Sequence, residues 1–124
     1  MYKGKLIMTD IYTIKFEPNK LSIQQEELGN IYADLDTAVE LMKKEEKMII
    51  AELTLFYSRN KSYKNIKELD GLIYTHEKFK DYIDRYNGTL KRRNRAKIRF
   101  ETFKTYRDDL RTKMVNEREL VKLR

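Results

Sequence analysis

Six cations fall within the ten residues Lys91-Arg92-Arg93-Asn94-Arg95-Ala96-Lys97-Ile98-Arg99-Phe100, and no acid interrupts them. Guanidinium and ammonium groups at that density can neutralise the phosphates of a nucleic-acid strand and release its condensed counterions. On a helix, Lys91, Arg92, Arg95 and Arg99 would share one broad sector at spacings of roughly one turn, about 5.4 Å. That spacing is close to the separation of successive phosphates. The same run also fits a helix face that is simply solvated.

A second basic group lies earlier. Tyr57 and Tyr63 bracket Arg59, Lys61 and Lys64. Aromatic rings among cations can stack unpaired bases while the cations follow the backbone. The alternative is a tyrosine that packs its loop onto the body of the protein. The candidate DNA-contacting set is therefore Arg59, Lys61, Tyr63, Lys64, Lys91, Arg92, Arg93, Arg95, Lys97 and Arg99.

Residues for catalysis or metal binding are poorly supported, so no catalytic residue, metal or cofactor is expected. His76 is the only histidine, and Thr75-His76-Glu77-Lys78 lacks the second histidine a zinc helix needs four residues on. It reads as a helix-surface residue. Asp34 and Asp36, Glu45 and Glu46, and Asp108 and Asp109 are close in sequence, but helix residues one or two apart do not face each other. There is no glycine-rich phosphate loop and no cysteine, hence no disulfide framework or thiolate nucleophile.

Charge distribution favours a polyanionic partner. The chain has 124 residues and a net charge of +7. Residues 1–62 hold nine Lys/Arg against ten Asp/Glu, whereas residues 63–124 hold eighteen against ten. Such asymmetry suggests nucleic acid first and an anionic membrane surface second. The longest apolar run, Met48 to Ala51, falls far short of the ~20 residues that span a bilayer. Met1 to Met8 has cations but lacks the apolar core of a signal peptide. A soluble, cytoplasmic protein is expected.

These side chains need helices to position them. Residues 1–18 alternate weakly and are expected to form an extended arm laid across a neighbouring element, ended by a turn at Glu17-Pro18-Asn19. Ser22-Ile23-Gln24-Gln25 reads as a capping box that opens a long helix over residues 22–58. Along it Leu28, Leu35, Met42, Ile49 and Phe56 recur every seven residues, with Tyr32, Val39 and Leu53 as a second row. Sustained heptads of this kind form the seam of a helical hairpin or coiled coil. Gly29 is the expected site of a bend. Residues 59–71 read as a basic loop with one helical turn near Ile66 to Leu69.

A helical region follows over residues 72–122. Phe79, Ile83, Tyr86 and Leu90 continue at steps of three and four, and Asn87-Gly88 is expected to kink or break the pattern. From Leu90 to Lys122, Phe100, Phe103, Tyr106, Leu110, Met114 and Val121 mark one face of a final helix. One all-α domain is expected: an elongated hairpin or bundle with two long antiparallel helices and shorter helical segments. The heptad rows are too long for one partner helix to hide, so the chain is also expected to oligomerise.

The order of these features resembles the UvsY-type recombination mediators of tailed phages. The resemblance begins at Asn19-Lys20-Leu21 and Gln25-Glu26. Leu55-Phe56-Tyr57-Ser58 is similar to the family's Tyr-Tyr-Ser/Thr-Gly close of the first long helix. Phe79 to Leu90 is similar to a Leu-x-x-Tyr-Leu-x-x-Asp segment, and Val115 to Lys122 to an Ile-x-x-Arg-x-Phe-x-Ile-Lys segment. It covers roughly residues 19–122. The resemblance implies a small all-helical protein, not an enzyme, that forms ring-like homo-oligomers and binds single-stranded DNA. Its implied partners are a recombinase of the RecA type and the single-strand-binding protein that the recombinase displaces. The family's basic pair late in the first long helix has no counterpart in Ile49 to Leu53. DNA contact is therefore expected at Arg59, Lys61 and the Lys91–Arg99 run. The rival reading is a structural or assembly protein, a phage scaffold or adaptor whose basic face only keeps it soluble.

Overall fold

The computed structural model describes residues 14–123. An extended segment over residues 14–17 leads through a 3-10 turn, Pro18–Lys20, into three helices: α1 (Leu21–Asn60), α2 (Ile66–Thr75) and α3 (Glu77–Leu123). No strand occurs among the described residues, and the two long helices pack against each other, so the protein is all-α. The expected arm over residues 1–18 is described only from Ile14 onward, and its earlier part lies outside the described residues.

Two compact units divide the structure, one built from the chain up to Leu35 with Arg92 onward, the other from Asp36–Lys91. In the first unit, α1 contributes Leu28, Ile31 and Leu35, and α3 contributes Ala96 and Phe103. Helices approach closely where a side chain is small. Ala96 is fully buried, and a Cβ placed on Gly29 would meet the Phe100 ring at 3.3 Å. Gly29 thus serves close packing, and α1 runs through it without a break.

The extended segment closes this core. Phe16 meets Phe103 edge-on at 5.1 Å and Tyr106 at 5.2 Å. Gln24, buried among apolar side chains, pins the segment by accepting from the Glu17 amide at 2.9 Å and donating to the Lys15 carbonyl at 2.6 Å. A buried amide needs such partners on both ends. This arrangement replaces the expected capping box: α1 begins at Leu21, one residue before Ser22, and Ser22 is an exposed first-turn residue.

In the second unit three helices converge. Ile49 and Leu53 of α1, Leu69 and Ile73 of α2, and Phe79 and Tyr82 of α3 form its core. Tyr82 is completely buried, and its hydroxyl donates to the Met42 carbonyl. Burial in this apolar core pushes the Tyr82 phenol pKa up.

The expected seam holds for most of its length. Leu28, Leu35, Val39, Ile49 and Leu53 are buried, and Tyr32 and Met42 half-buried. Phe56 departs from it, at 51% exposure. A straight α-helix drifts ~20° per heptad against a seven-residue repeat. Drift of this kind takes the end of the row away from the face that Ile49 and Leu53 bury, and Tyr57 packs there instead.

The expected basic loop over residues 59–71 is much shorter. Helix α1 continues to Asn60, and α2 already starts at Ile66. The Asn65 side chain accepts from the Glu68 amide at 2.9 Å, which caps α2. Nor does Asn87-Gly88 interrupt α3, which runs through it from Glu77. The turn propensity of this pair is overridden by core contacts on both sides, from Tyr82, Ile83 and Tyr86 before it to Ala96 after it.

Candidate nucleic-acid interface

The six-cation run does not form one patch. Arg93 is half-buried and already engaged within the protein. Arg99 also turns inward: its guanidinium donates to the Ile14 carbonyl and lies 4.0 Å from the Phe16 ring centre. Arg99 thereby fastens the extended segment. Lys91, Arg92, Arg95 and Lys97 are exposed and form no ion pair among the described residues. At ~100° per residue, Arg92 and Arg95 project to one side of α3, and Lys97 projects well away from Arg95. A strand following this helix would meet Arg92 and Arg95 together.

Two further cations of α3 are neutralised in place. Lys78 pairs with Glu52, and Arg85 with Glu45 at 2.6 Å. The hydrogen bond from Arg85 holds the Glu45 carboxyl below its ordinary value of 4.5 and raises the Arg85 guanidinium in turn. These pairs tie α3 to α1 and leave little charge for a polyanion.

The connector after α1 offers a second group, within the other unit. The amide of Lys61 donates to the Ser58 carbonyl and that of Ser62 to the Tyr57 carbonyl, both at 3.3 Å. This is the Schellman pattern, whose extra residue takes the left-handed conformation usually given to glycine. Here it is Lys61, with φ 47°. Arg59, Lys61 and Lys64 are exposed, and so is Lys67, in the first turn of α2, which sequence reasoning passed over. The signal for it was present: Asn65-x-x-Glu68 is a capping pattern that places Lys67 on a helix.

The aromatic residues change roles. Tyr63 is half-buried against the core of its unit, with its hydroxyl 3.0 Å from Ser58 Oγ. Tyr57 is likewise half-buried, and its hydroxyl donates to the Leu72 carbonyl. Phe56, placed by its heptad in the core, instead stands exposed one turn before Arg59. Both line a hollow of about 380 Å³ with Glu52, Leu55 and Asn60. An exposed ring beside a cation is the arrangement that stacks an unpaired base.

Comparison with family models, curated proteins and solved structures finds no match for this chain.

His76 is not a helix-surface residue. It ends α2 in an extended conformation, its amide donating to the Ile73 carbonyl, and starts α3 by accepting from the Lys78 amide through Nδ1 at 3.0 Å. Its edge also meets the rings of Phe56 and Tyr57. Among the described residues no cluster of His, Asp or Glu is arranged to hold a metal ion, and no helix is long and apolar enough to cross a membrane.

Proposed function

We propose that this protein is a single-stranded DNA-binding recombination mediator, which helps load a recombinase of the RecA type onto DNA covered by single-strand-binding protein. The observation that carries the reading is the set of exposed, unpaired cations Lys91, Arg92, Arg95 and Lys97 on α3. Lys61 adds support, because a lysine rather than glycine occupies a left-handed position in the basic connector. The ordered likeness of the sequence to UvsY-type mediators supplies the class. In this reading the phosphate backbone is held through charge, Phe56 offers a stacking face, and the protein acts as a homo-oligomer without chemistry of its own. A phage protein of this kind would work in the cytoplasm of the bacterial host.

Log affinity for a single-stranded oligonucleotide should fall with log salt. In Arg92→Ala, Arg95→Ala the slope should shrink by ~0.7 for each phosphate no longer neutralised. An unchanged slope removes these residues from the site, and salt-indifferent or absent binding removes the DNA-binding function.

One observation favours an assembly protein instead. Leu41, Met48 and Leu55 lie seven residues apart on α1, all more than half exposed, at 59%, 64% and 57%. A scaffold or adaptor would bury that row against its partners. Self-association without oligonucleotide binding is its expected signature.

A further inference from the structure

The last turns of α3 carry two parallel rows. Arg107, Arg111, Arg118 and Lys122 form a basic row, and Leu110, Met114 and Val121 form an apolar one displaced by three residues. At ~100° per residue the two rows lie side by side on one face of the helix. Every residue from Arg111 to Leu123 is exposed, including Met114 at 48% and Val121 at 68%.

Within the first unit the rows border an open groove. Leu21, Ser22 and Gln25 of α1 form one wall, while Leu110, Met114 and the arginines of α3 form the other, around a volume of about 430 Å³. Its lining contains three arginines and no acid. A second hollow continues the groove along Met114, Arg118 and Val121, with Glu117 on the edge away from the basic row. Arg107 is fixed as a rim post by donating to Gln25 and to Asp108. Arg111 and Arg118 form no ion pair among the described residues.

We propose that this groove docks an acidic amphipathic segment of a partner protein. Its apolar side chains would seat on Leu110, Met114 and Val121, and its carboxylates would lie along Arg107, Arg111 and Arg118. Charge complementarity selects the occupant: an apolar floor gives nucleic-acid phosphates no contact, whereas a helix with adjoining acidic and apolar rows matches both. The recognition mode is a helix laid in a groove and read at three- and four-residue steps. The inference stands apart from DNA binding and does not rest on it.

The test uses the full chain and a labelled synthetic peptide with glutamates and leucines in adjoining rows at three- and four-residue spacing. Fluorescence anisotropy should show binding of this peptide. It should show none for a version with lysine for glutamate, or for one with serine for leucine. Arg111→Glu, Arg118→Glu should weaken the acidic peptide by roughly tenfold or more and should gain binding of the lysine version. That swap separates docking from a general loss of fold, and helicity should be unchanged because both residues are exposed. Met114→Asp should weaken the acidic peptide without changing sedimentation.

Absence of binding at millimolar peptide overturns the proposal. So does equal binding by wild type and the double variant. If Met114→Asp instead lowers the oligomeric state, the groove is a contact between copies of this chain. If the arginine variant loses only oligonucleotide binding, the groove belongs to the nucleic-acid site.

Discussion

At Gly29 an added Cβ would press on the Phe100 ring at 3.3 Å, whereas at Gly88 it would meet nothing within 4 Å. Both residues lie inside long helices, where glycine costs about 1 kcal/mol relative to alanine. Gly88→Ala should therefore raise stability by about 0.5–1 kcal/mol. Gly29→Ala should gain less or lose, because Phe100 has to yield. Urea titrations of the two variants check the contrast, and an equal gain at both sites would show that Gly29 is not a packing residue. Lys61 presents the opposite case, a side chain where glycine is preferred. Lys61→Gly should stabilise the fold by up to about 1 kcal/mol. In the proposed function it should also lose single-strand affinity at low salt. Stabilisation with full affinity would make Lys61 a connector residue only.

At the scale of elements, α3 performs two tasks with one set of cations. Arg85 and Lys78 join it to α1, Arg99 fastens the extended segment, and Arg92 and Arg95 remain outward. The Arg85–Glu45 pair predicts a pH effect with a definite sign. The folded Glu45 value is depressed, so its contribution is present above the ordinary carboxylate pKa and is lost as pH falls through the folded value. Glu45→Gln should leave a shallower loss of stability as pH is lowered from ~6 to ~3. The change should be small, since both side chains are well exposed and solvent screens them. Denaturation midpoints across that range check it. An acid limb as steep as the parent's would mean the pair contributes nothing.

For the molecule as a whole, the heptad seam is spent on its own fold. Leu28, Leu35, Val39, Ile49 and Leu53 are buried within the chain, so they are not the surface that a homo-oligomer would use. The row Leu41, Met48 and Leu55 is an apolar surface left on α1, and the proposed oligomer has it to bury. Sedimentation at micromolar concentration should show a species larger than a monomer, and Met48→Glu should shift it toward monomer. A monomer throughout that range removes the ring from the proposal. An oligomer indifferent to Met48→Glu places its interface elsewhere.

Helix content was legible because it depends on local pattern. Seven-residue recurrences from Leu28 to Ile49 and three-and-four steps from Phe79 onward have the helical period, whatever packs against them. Asn65-x-x-Glu68 announced α2 for the same reason, and the short connector could have been read from it. The break at Asn87-Gly88 and the Phe56 row were misread because local rules lack the surroundings: core contacts before and after the glycine, and the slow drift of an α-helix against a heptad.

The split of the basic run lay further out of reach. Arg99 leaves the candidate interface because the Ile14 carbonyl, 85 residues earlier in the chain, accepts from it. Lys78 and Arg85 are neutralised by acids 26 and 40 residues away. Sequence by itself determined how much positive charge the second half carries and that helices present it. Which of those cations face water was decided only by tertiary structure, because a charge is spent or free according to what lies within a few ångströms of it, and that distance is set by folding rather than by position along the chain.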